Sequence, residues 1–467
     1  MLEKIFRAAA ILASGTMAGQ LFVVAISPII TRLYAPADFG IFGIYAAVLY
    51  MAVSVVSLRY EVAIPLTENE SDAQCLVVIS AFVVLVVSSC LLSAILILPH
   101  FYEFDGWKLF QYTLPVGVCV VGLRNVLEYY RLRGGGHRRI AKTRMQQAMG
   151  GAIVQVGGGL ASLGAIGLIA GQIVGLSWGM FRMLSPSDYR EIWRNFKFRN
   201  ALRNVWEQKD FARYDAPAAL SAIMNTHSAT LIIGFVFSPA SAGMYALVQR
   251  VLVTPLGIVS NVLATSLISH GREIKSGDQS AFQKSTAGAL LVMSPILTVA
   301  ALLMHYLFGV VFGKNWMIAG VVAAWVVLFV GQKFVFDSLF SLLLTQGKQK
   351  RGLALQASLL IARHSVLLVC SLFLNFQDSI AVFSLVSAIA YYYWGRTILR
   401  SSEIESSVGI SLSWLDLLAP YAVVWVAINF NATMIEVVAA ALIYFSWSGS
   451  RAYPVVASLS KMRPWKR

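Results

Sequence analysis

Apolar runs long enough to cross a membrane recur from one end of this sequence to the other. A bilayer core about 30 Å thick needs roughly 20 helical residues to cross it. Fourteen runs are candidates for such helices, the last two being short, and because they are continuously apolar rather than alternating, they predict transmembrane helices and not β-strands. The runs cover approximately residues 8–30, 41–58, 75–98, 111–130, 145–163, 165–184, 212–237, 241–268, 285–311, 317–345, 353–374, 379–398, 414–430 and 434–449.

Charge is scarce in this chain and unevenly placed. Only 13% of the residues are charged, against about a quarter in soluble globular proteins, which excludes the soluble classes. The net charge of +15 would favour nucleic acid in a soluble protein, but here Lys and Arg collect in alternate loops, as they do on the cytoplasmic side of membrane proteins. With the N-terminus in the cytoplasm, the opposite face holds only Arg32, Lys108 and Lys314. We predict a multi-pass protein with both termini cytoplasmic and no nucleic-acid partner.

Two features recur in the same order in both halves of the sequence. The segment PADFG at 36–40 follows the first span, and PASAG at 239–243 follows the seventh. A cation and an acid four residues apart occur in spans four and ten: Arg124 with Glu128, and Lys333 with Asp337. These matches suggest that spans 1–6 and 7–12 are copies of one unit. An even number of spans gives both copies the same orientation, related by an axis along the membrane normal.

The predicted fold is therefore an all-α integral membrane protein of about 14 transmembrane helices. Two six-helix lobes are related by a pseudo-two-fold axis along the membrane normal, and two further helices follow them. The predicted parts are an N-terminal lobe at 1–184, a cytoplasmic interfacial linker helix at 185–211, a C-terminal lobe at 212–400, and two extra spans with a basic tail at 401–467. The linker places aromatic and aliphatic residues on one side and Arg and Lys on the other, which is typical of a helix lying against membrane lipids. Binding of a partner protein is the alternative for the linker.

Polar side chains form stripes along three spans. In span eight, Gly243, Arg250 and Asn261 lie on one face, and a charged residue in a span must face protein or a watered cavity. Span seven has a similar stripe that includes Asn225, and span one has one that includes Gln20. Small and polar stripes also mediate ordinary helix packing in bilayers, so both interpretations stay open for the uncharged positions.

The charged pairs within the spans have two interpretations as well. Spacing of four residues suits an ion pair, in which each acid neutralises its neighbour, and a substrate role is compatible if the pair opens. In span two, Glu61 shares a face with Ser57, whereas Arg59 points elsewhere and could anchor the cytoplasmic end. Acids that could couple transport to a cation or a proton are Glu61, Glu128, Asp215 and Asp337.

Enzyme motifs are missing from the sequence. There is no phosphate-binding glycine loop with its Lys-Ser/Thr, no GxSxG elbow, no HExxH and no Asp-x-Asp metal pair. The loops on the outer face are short, so no catalytic domain fits there. We predict a transporter without catalytic residues, cofactor or metal.

Three segments carry a resemblance to a known family. The stretches SPIITRLYAPADFG (27–40), SLRYEVAIPL (57–66) and RYDAPAALSAIMNTHSATLIIGFVFSPASAGMYALVQRVL (213–252) resemble polysaccharide flippases of the Wzx type, including the O-antigen flippases of lipopolysaccharide synthesis. These belong to the multidrug/oligosaccharidyl-lipid/polysaccharide (MOP) exporter superfamily. The resemblance implies a protein of the bacterial cytoplasmic (inner) membrane. It would carry undecaprenyl-pyrophosphate-linked oligosaccharide to the periplasmic leaflet by alternating access through a cationic cavity.

The resemblance also bears on individual residues and partners. Arg32, Arg59 and Arg250 match basic positions of such proteins. Membrane potential or Na+ or H+ antiport would drive transport, and other polysaccharide-assembly proteins are candidate partners. A multidrug or cation antiporter of the same superfamily is the alternative, and a membrane-embedded polymerase or ligase is disfavoured by the short outer loops. The substrate-binding candidates are Arg32, Arg59, Arg124, Arg250, Lys333, Asn225, Asn261 and Gln20.

Overall fold

A computed structural model describes residues 2–97, 107–254, 256–257, 279–345, 349–401, 414–429, 436 and 439. Within these residues the chain forms sixteen α-helices, with short 3-10 and π turns and no β-strand. The helices are α1 (Leu2–Leu33), α2 (Pro36–Val55), α3 (Tyr60–Ala63), α4 (Glu70–Ile97), α5 (Trp107–Arg133), α6 (His137–Leu160), α7 (Ala165–Ser177), α8 (Pro186–Asn195), α9 (Phe198–Glu207), α10 (Ala216–Val236), α11 (Pro239–Val248), α12 (Gln279–Phe312), α13 (Met317–Thr345), α14 (Gln349–Ser371), α15 (Phe376–Ser401) and α16 (Trp414–Asn429).

Many of these helices are long enough to span a membrane. Eight helical segments of the described chain are long and apolar enough to cross a bilayer, and two shorter apolar helices cover Ile296–Phe312 and Leu418–Asn429. The predicted all-helical membrane fold is confirmed. The predicted span at 434–449, apart from residues 436 and 439, lies outside the described residues, and so does most of the second half of the span at 241–268.

The predicted division of 145–184 into two helices is also confirmed. Ser162 and Gly164 have positive φ angles of 55° and 56°, so the chain turns sharply between α6 and α7. Asp38 holds this turn, because its Oδ1 accepts a hydrogen bond of 3.1 Å from the amide of Ala165, the first residue of α7. Its Oδ2 accepts another, also of 3.1 Å, from the amide of Ala35 before α2. One carboxylate of the PADFG segment thus fixes the starts of two helices.

Two compact units are distinguished by their internal contacts, Met1–Ala246 and Leu247–Arg467. In the first, α1 packs against α6, α6 against α7, α4 against α5, and α2 against α5, α7 and α10. In the second, α12 packs against α13 and α16, and α15 packs against both α13 and α14. The predicted lobe boundaries follow the sequence repeat rather than these units, and they remain a prediction.

The linker predicted as one helix forms two, α8 and α9. Ser185 and Asp188 cap the start of α8 reciprocally, and Pro186 occupies its first position. At the end of α8, Asn195 donates a hydrogen bond of 2.9 Å to Gln74, and Arg203 of α9 forms an ion pair of 3.0 Å with Asp72. A continuous helix would separate Asn195 and Arg203 by about 12 Å. The break lets both helices bind the first turns of α4.

Candidate functional site

Helices α2 and α10 pack along their length and run in opposite directions. This α2–α10 interface extends from Gly40 beside Pro239 at one end to Arg59 beside Asp215 at the other. Between the ends, the rings of Tyr50 and His227 lie 5.1 Å apart. The interface therefore brings a helix of the first predicted repeat against a helix of the second.

The two repeated motifs meet at the first end. A methyl group on Gly40 would overlap the carbonyl of Pro239, and one on Gly243 would overlap the carbonyl of Pro36. Each motif thus places its glycine against the proline of the other, so the contact is reciprocal. Only glycine permits this approach of two backbones. The two motifs PADFG and PASAG are recognisable in the sequence, and the structure places them in direct contact.

Three charged residues from separate parts of the chain meet at the second end, and we name them the Arg59 cluster: Arg59, Glu61 and Asp215. Arg59 Nε donates to Asp215 Oδ2 at 2.9 Å, and its Nη1 lies 3.8 Å from Glu61 Oε1. Ser57 Oγ donates a short hydrogen bond to Glu61 Oε2. One cation therefore faces two carboxyl groups where α2 ends and α10 begins.

The prediction that Arg59 points away from Glu61 is wrong. It assumed that the helix of span two continues to residue 58, whereas α2 ends at Val55. Leu58 and Arg59 then adopt left-handed φ angles of 52° and 64°, which reverse the chain direction. Because α2 ends before these residues, their spacing along the sequence does not predict which way their side chains point.

Burial and neighbouring charges together set the protonation of Arg59 and Glu61. Burial raises the pKa of Glu61 above its usual value, and the Ser57 hydrogen bond and the Arg59 charge offset this only in part. Burial also lowers the pKa of Arg59, but the hydrogen bond and charge of Asp215 outweigh that effect and raise it. Arg59 therefore keeps its charge beside Asp215, and Glu61 is the group of this cluster whose surroundings favour a bound proton.

A second charged group lies within α5 and α6, and we name it the Glu128 cluster: Arg124, Glu128 and Arg144. Arg124 Nη1 lies 3.3 Å from Glu128 Oε2, which confirms the ion pair expected from their spacing. Arg144 Nη2 lies 2.5 Å from Glu128 Oε1, and its Nη1 donates to Thr16 Oγ1 at 2.6 Å. Two arginines thus share one carboxylate.

Arg144 was not among the residues predicted from the sequence. The sequence nevertheless contains a pattern that points to it. The helices α5 and α6 form a hairpin, and Glu128 and Arg144 lie equally far before and after Gly136 in its turn. Residues placed symmetrically about such a turn face each other.

Charged residues also lie inside the second unit. Lys333 Nζ forms an ion pair of 2.5 Å with Asp337, as predicted from the spacing. Arg363, which was not selected, has only 2% of its surface exposed. Its guanidinium carbon lies 5.4, 4.9 and 5.0 Å from the ring centres of Phe329, Phe383 and Tyr391. These rings belong to α13 and α15, so this cation–π contact was not visible in the local sequence.

The other candidates are distributed over several helices. Arg32 is exposed in the last turn of α1, and Gln20 is half-buried within α1. Arg250 is half-buried in the π turn Gln249–Val253, and the amide of Asn225 in α10 donates to Ser221 O at 3.2 Å. Asn261 lies outside the described residues. In the part of the chain described, no group of three His, Cys, Asp or Glu residues is arranged to hold a metal ion.

Long apolar helices with ion pairs between their residues define a helical membrane protein, and solved structures share this fold. The structure resembles "Lipid II flippase MurJ, inward closed conformation", with a TM-score of 0.62 and 11% identity over 96% of this chain and 99% of that one. It also resembles an inward-facing multidrug resistance MATE family transporter of the MOP superfamily, with a TM-score of 0.55 and 14% identity over 86% of this chain and 96% of that one. A third is MATE in complex with MaL6, with a TM-score of 0.54 and 12% identity over 86% and 97%.

A sequence profile then assigns the family. The chain belongs to the family described as "Polysaccharide biosynthesis protein", whose profile matches residues 29–320. No curated protein sequence matches it. The family and the fold agree with the predicted resemblance to polysaccharide flippases and with the prediction of a transporter.

Proposed function

We propose that this protein is a flippase that carries undecaprenyl-pyrophosphate-linked oligosaccharide from the cytoplasmic to the periplasmic leaflet of the bacterial inner membrane. The α2–α10 interface is the observation that carries the proposal. At one end the backbones of the motif copies are in tight contact, and at the other Arg59 forms an ion pair with Asp215. Family membership and the fold of a lipid II flippase support it.

The substrate chemistry requires a polar path. Sugars and phosphates lose their hydration in hydrocarbon, and only polar walls offset that cost. Arginine suits a diphosphate because its planar fork donates to two oxygens at once. The proposed binding residues are the cations and amides Arg32, Arg59, Arg124, Arg250, Lys333, Gln20, Asn225 and Asn261.

The unequal ends of the interface support the proposal of alternating access. Side chains of the Arg59–Asp215 pair are 23% and 43% exposed, and such a pair is worth only about 0–1 kcal/mol. The glycine contacts at the other end hold backbone against backbone. We place the Arg59 cluster on the cytoplasmic side, because Lys and Arg are concentrated in the loops of that side. Opening toward the cytoplasm would break the ion pair first.

The driving force we propose is the membrane potential. A diphosphate carries two negative charges outward, which yields about 4–5 kcal/mol at roughly 100 mV if no cation accompanies them. Coupling to Na+ or H+ would instead use Glu61, Glu128, Asp215 or Asp337. Of these, Glu61 is the acid whose surroundings favour uptake of a proton.

Surface polysaccharide in cells lacking the native gene tests the function. With variants expressed at equal levels, Arg250→Ala should abolish export and Arg250→Lys should only weaken it, since the charge remains without the fork. Normal polysaccharide from both variants would remove Arg250 from the mechanism. Ethidium efflux by the wild-type protein, without transfer of lipid-linked oligosaccharide in proteoliposomes, would favour the drug antiporter instead.

A further inference from the structure

The Glu128 cluster has an excess of positive charge. It contains two arginines and one carboxylate, and both arginines form ion pairs with that carboxylate. Arg124 Nε is buried and makes no hydrogen bond among the described residues. A surplus cation within membrane-spanning helices is costly unless an anion accompanies it. Arg124 also donates to the side-chain oxygens of Gln147 and Asn125, which are neutral, so one positive charge of the cluster is not balanced by a carboxylate within it.

The neighbouring Arg59 cluster does not supply that anion. Tyr129 interacts electrostatically with Glu128 and with all three members of the Arg59 cluster, so the two groups are near each other. Asp215 is already paired with Arg59. Burial raises the pKa of Glu61, which favours its neutral form. The positive surplus at Arg124 and Arg144 thus remains for another ligand.

Arg144 is the accessible member of the cluster. Its side chain is 37% exposed, whereas those of Arg124 and Glu128 are 17% and 12% exposed. Arg144 follows the first residue of α6 by two helical turns, about 10 Å from that end of the helix. Thr16 accepts a hydrogen bond from Nη1 and fixes the orientation of the guanidinium. A ligand approaching from this end of α6 would meet Arg144 first.

The geometry selects a polyvalent anion. Glu128 Oε1 accepts from Arg144 Nε at 3.2 Å and Nη2 at 2.5 Å, which is how an oxygen of a phosphate is held by arginine. A diphosphate offers several charged oxygens, so it can accept from both guanidinium groups and from the free Nε–H of Arg124. A metal cation or a cationic drug would be repelled by two arginines.

We propose that Arg124 and Arg144 form a diphosphate-binding site, which Glu128 occupies as an internal anion until the substrate arrives. The proposal rests on the proposed function and adds Arg144 to the binding residues. Glu128 then competes with the substrate instead of binding a coupling cation. Removing the arginines and removing Glu128 should consequently have opposite effects on affinity.

Binding of radiolabelled geranylgeranyl diphosphate to the full-length protein in phosphatidylcholine nanodiscs tests the site. Arg144→Gln and Arg124→Gln should weaken binding at least about tenfold, and Arg144→Lys should weaken it less. Glu128→Gln should strengthen it about threefold to tenfold, because the internal competitor is gone. Arg139→Gln, an exposed arginine on the same helix, is the matched control and should bind as wild type does. Thermal unfolding of each variant shows whether it is folded.

The outcomes separate this site from the proposed function. If the wild type binds the probe but Arg144→Gln and Glu128→Gln leave the affinity unchanged, the site is wrong and the flippase proposal stands. If the wild type binds no diphosphate, the proposed function fails with it. Competition by inorganic diphosphate supports the site, whereas equal competition by phosphatidylglycerol in the nanodisc would assign the arginines to ordinary lipid head groups and overturn it. Arg144→Lys keeps the test valid if a glutamine variant does not fold.

Discussion

Glu61 is a carboxyl group enclosed by the protein, with 3% of its side chain exposed. Burial raises its pKa, as does the charge of Asp215, while Ser57 and Arg59 lower it. The folded protein therefore binds a proton at Glu61 over a pH range in which the unfolded chain has released it. Stability must fall as pH rises from the ordinary glutamate value through the raised one, and stay level above it.

Substituting Glu61→Gln should remove this dependence. The variant keeps an oxygen that can accept from Ser57 and has no proton to lose. Its melting temperature in detergent should approach that of the wild type at pH 5 and exceed it by about 2 °C at pH 8. Glu68→Gln, at an exposed position in the same connection, is the control. Its melting temperature should differ from that of the wild type by the same amount at pH 5 and at pH 8. A constant gap between pH 5 and 8 would contradict the assignment.

Which charged contacts could be predicted depends on their separation in sequence. The Arg124–Glu128 and Lys333–Asp337 pairs lie four residues apart on single helices, so spacing alone identifies them. Asp215 lies 156 residues from Arg59, and the left-handed turn before α3 changes the direction of Arg59 in a way that helical spacing does not predict. Only the packing of α2 against α10 creates that cluster, and no local pattern encodes it.

At the level of helices, the repeated glycines decide how closely α2 and α11 approach. Gly40→Ala should force Pro239 away, and Gly243→Ala should do the same to Pro36. We expect each substitution to lower the melting temperature, although alanine is the better helix former by about 1 kcal/mol. Gly157→Ala is the matched control, because nothing lies within 4 Å of the added methyl. Equal stabilisation of all three variants would show that the contact is not tight.

The Arg59–Asp215 pair, at the opposite end of the α2–α10 interface, permits a test by charge exchange. Asp215→Arg alone places two cations together and should abolish transport, as should Arg59→Asp alone. The double variant restores opposite charges across α2 and α10, so transport should recover in part. Glu207→Arg, which removes an exposed ion pair of 3.6 Å within α9, should transport normally. A double variant as inactive as the single ones would indicate that Arg59 acts by itself.

Helix positions followed from the sequence because the bilayer allows few alternatives. A segment within lipid must satisfy its backbone internally, so apolar length and helix coincide. Predicted spans such as 285–311 and 317–345 correspond to α12 (Gln279–Phe312) and α13 (Met317–Thr345). The linker differs because α8 ends at Asn195, which binds α4, and the separate helix α9 then brings Arg203 to α4. Such tertiary contacts are not contained in a hydropathy profile.

For the whole molecule, the main energetic cost of the proposed transport is the passage of a doubly charged head group through a low-dielectric layer. Proteoliposomes with a potassium gradient and valinomycin set the potential directly. If transport is electrogenic, a potential that is negative on the cytoplasmic face should increase outward transfer of lipid-linked oligosaccharide, since about 4–5 kcal/mol is available at roughly 100 mV. Vesicles carrying Arg250→Ala give the background rate. Transfer that ignores the potential would contradict the electrogenic proposal. Transfer that rises further with an inward proton gradient would instead indicate proton antiport at an acid such as Glu61, because protons moving inward add to the charge that the substrate carries outward.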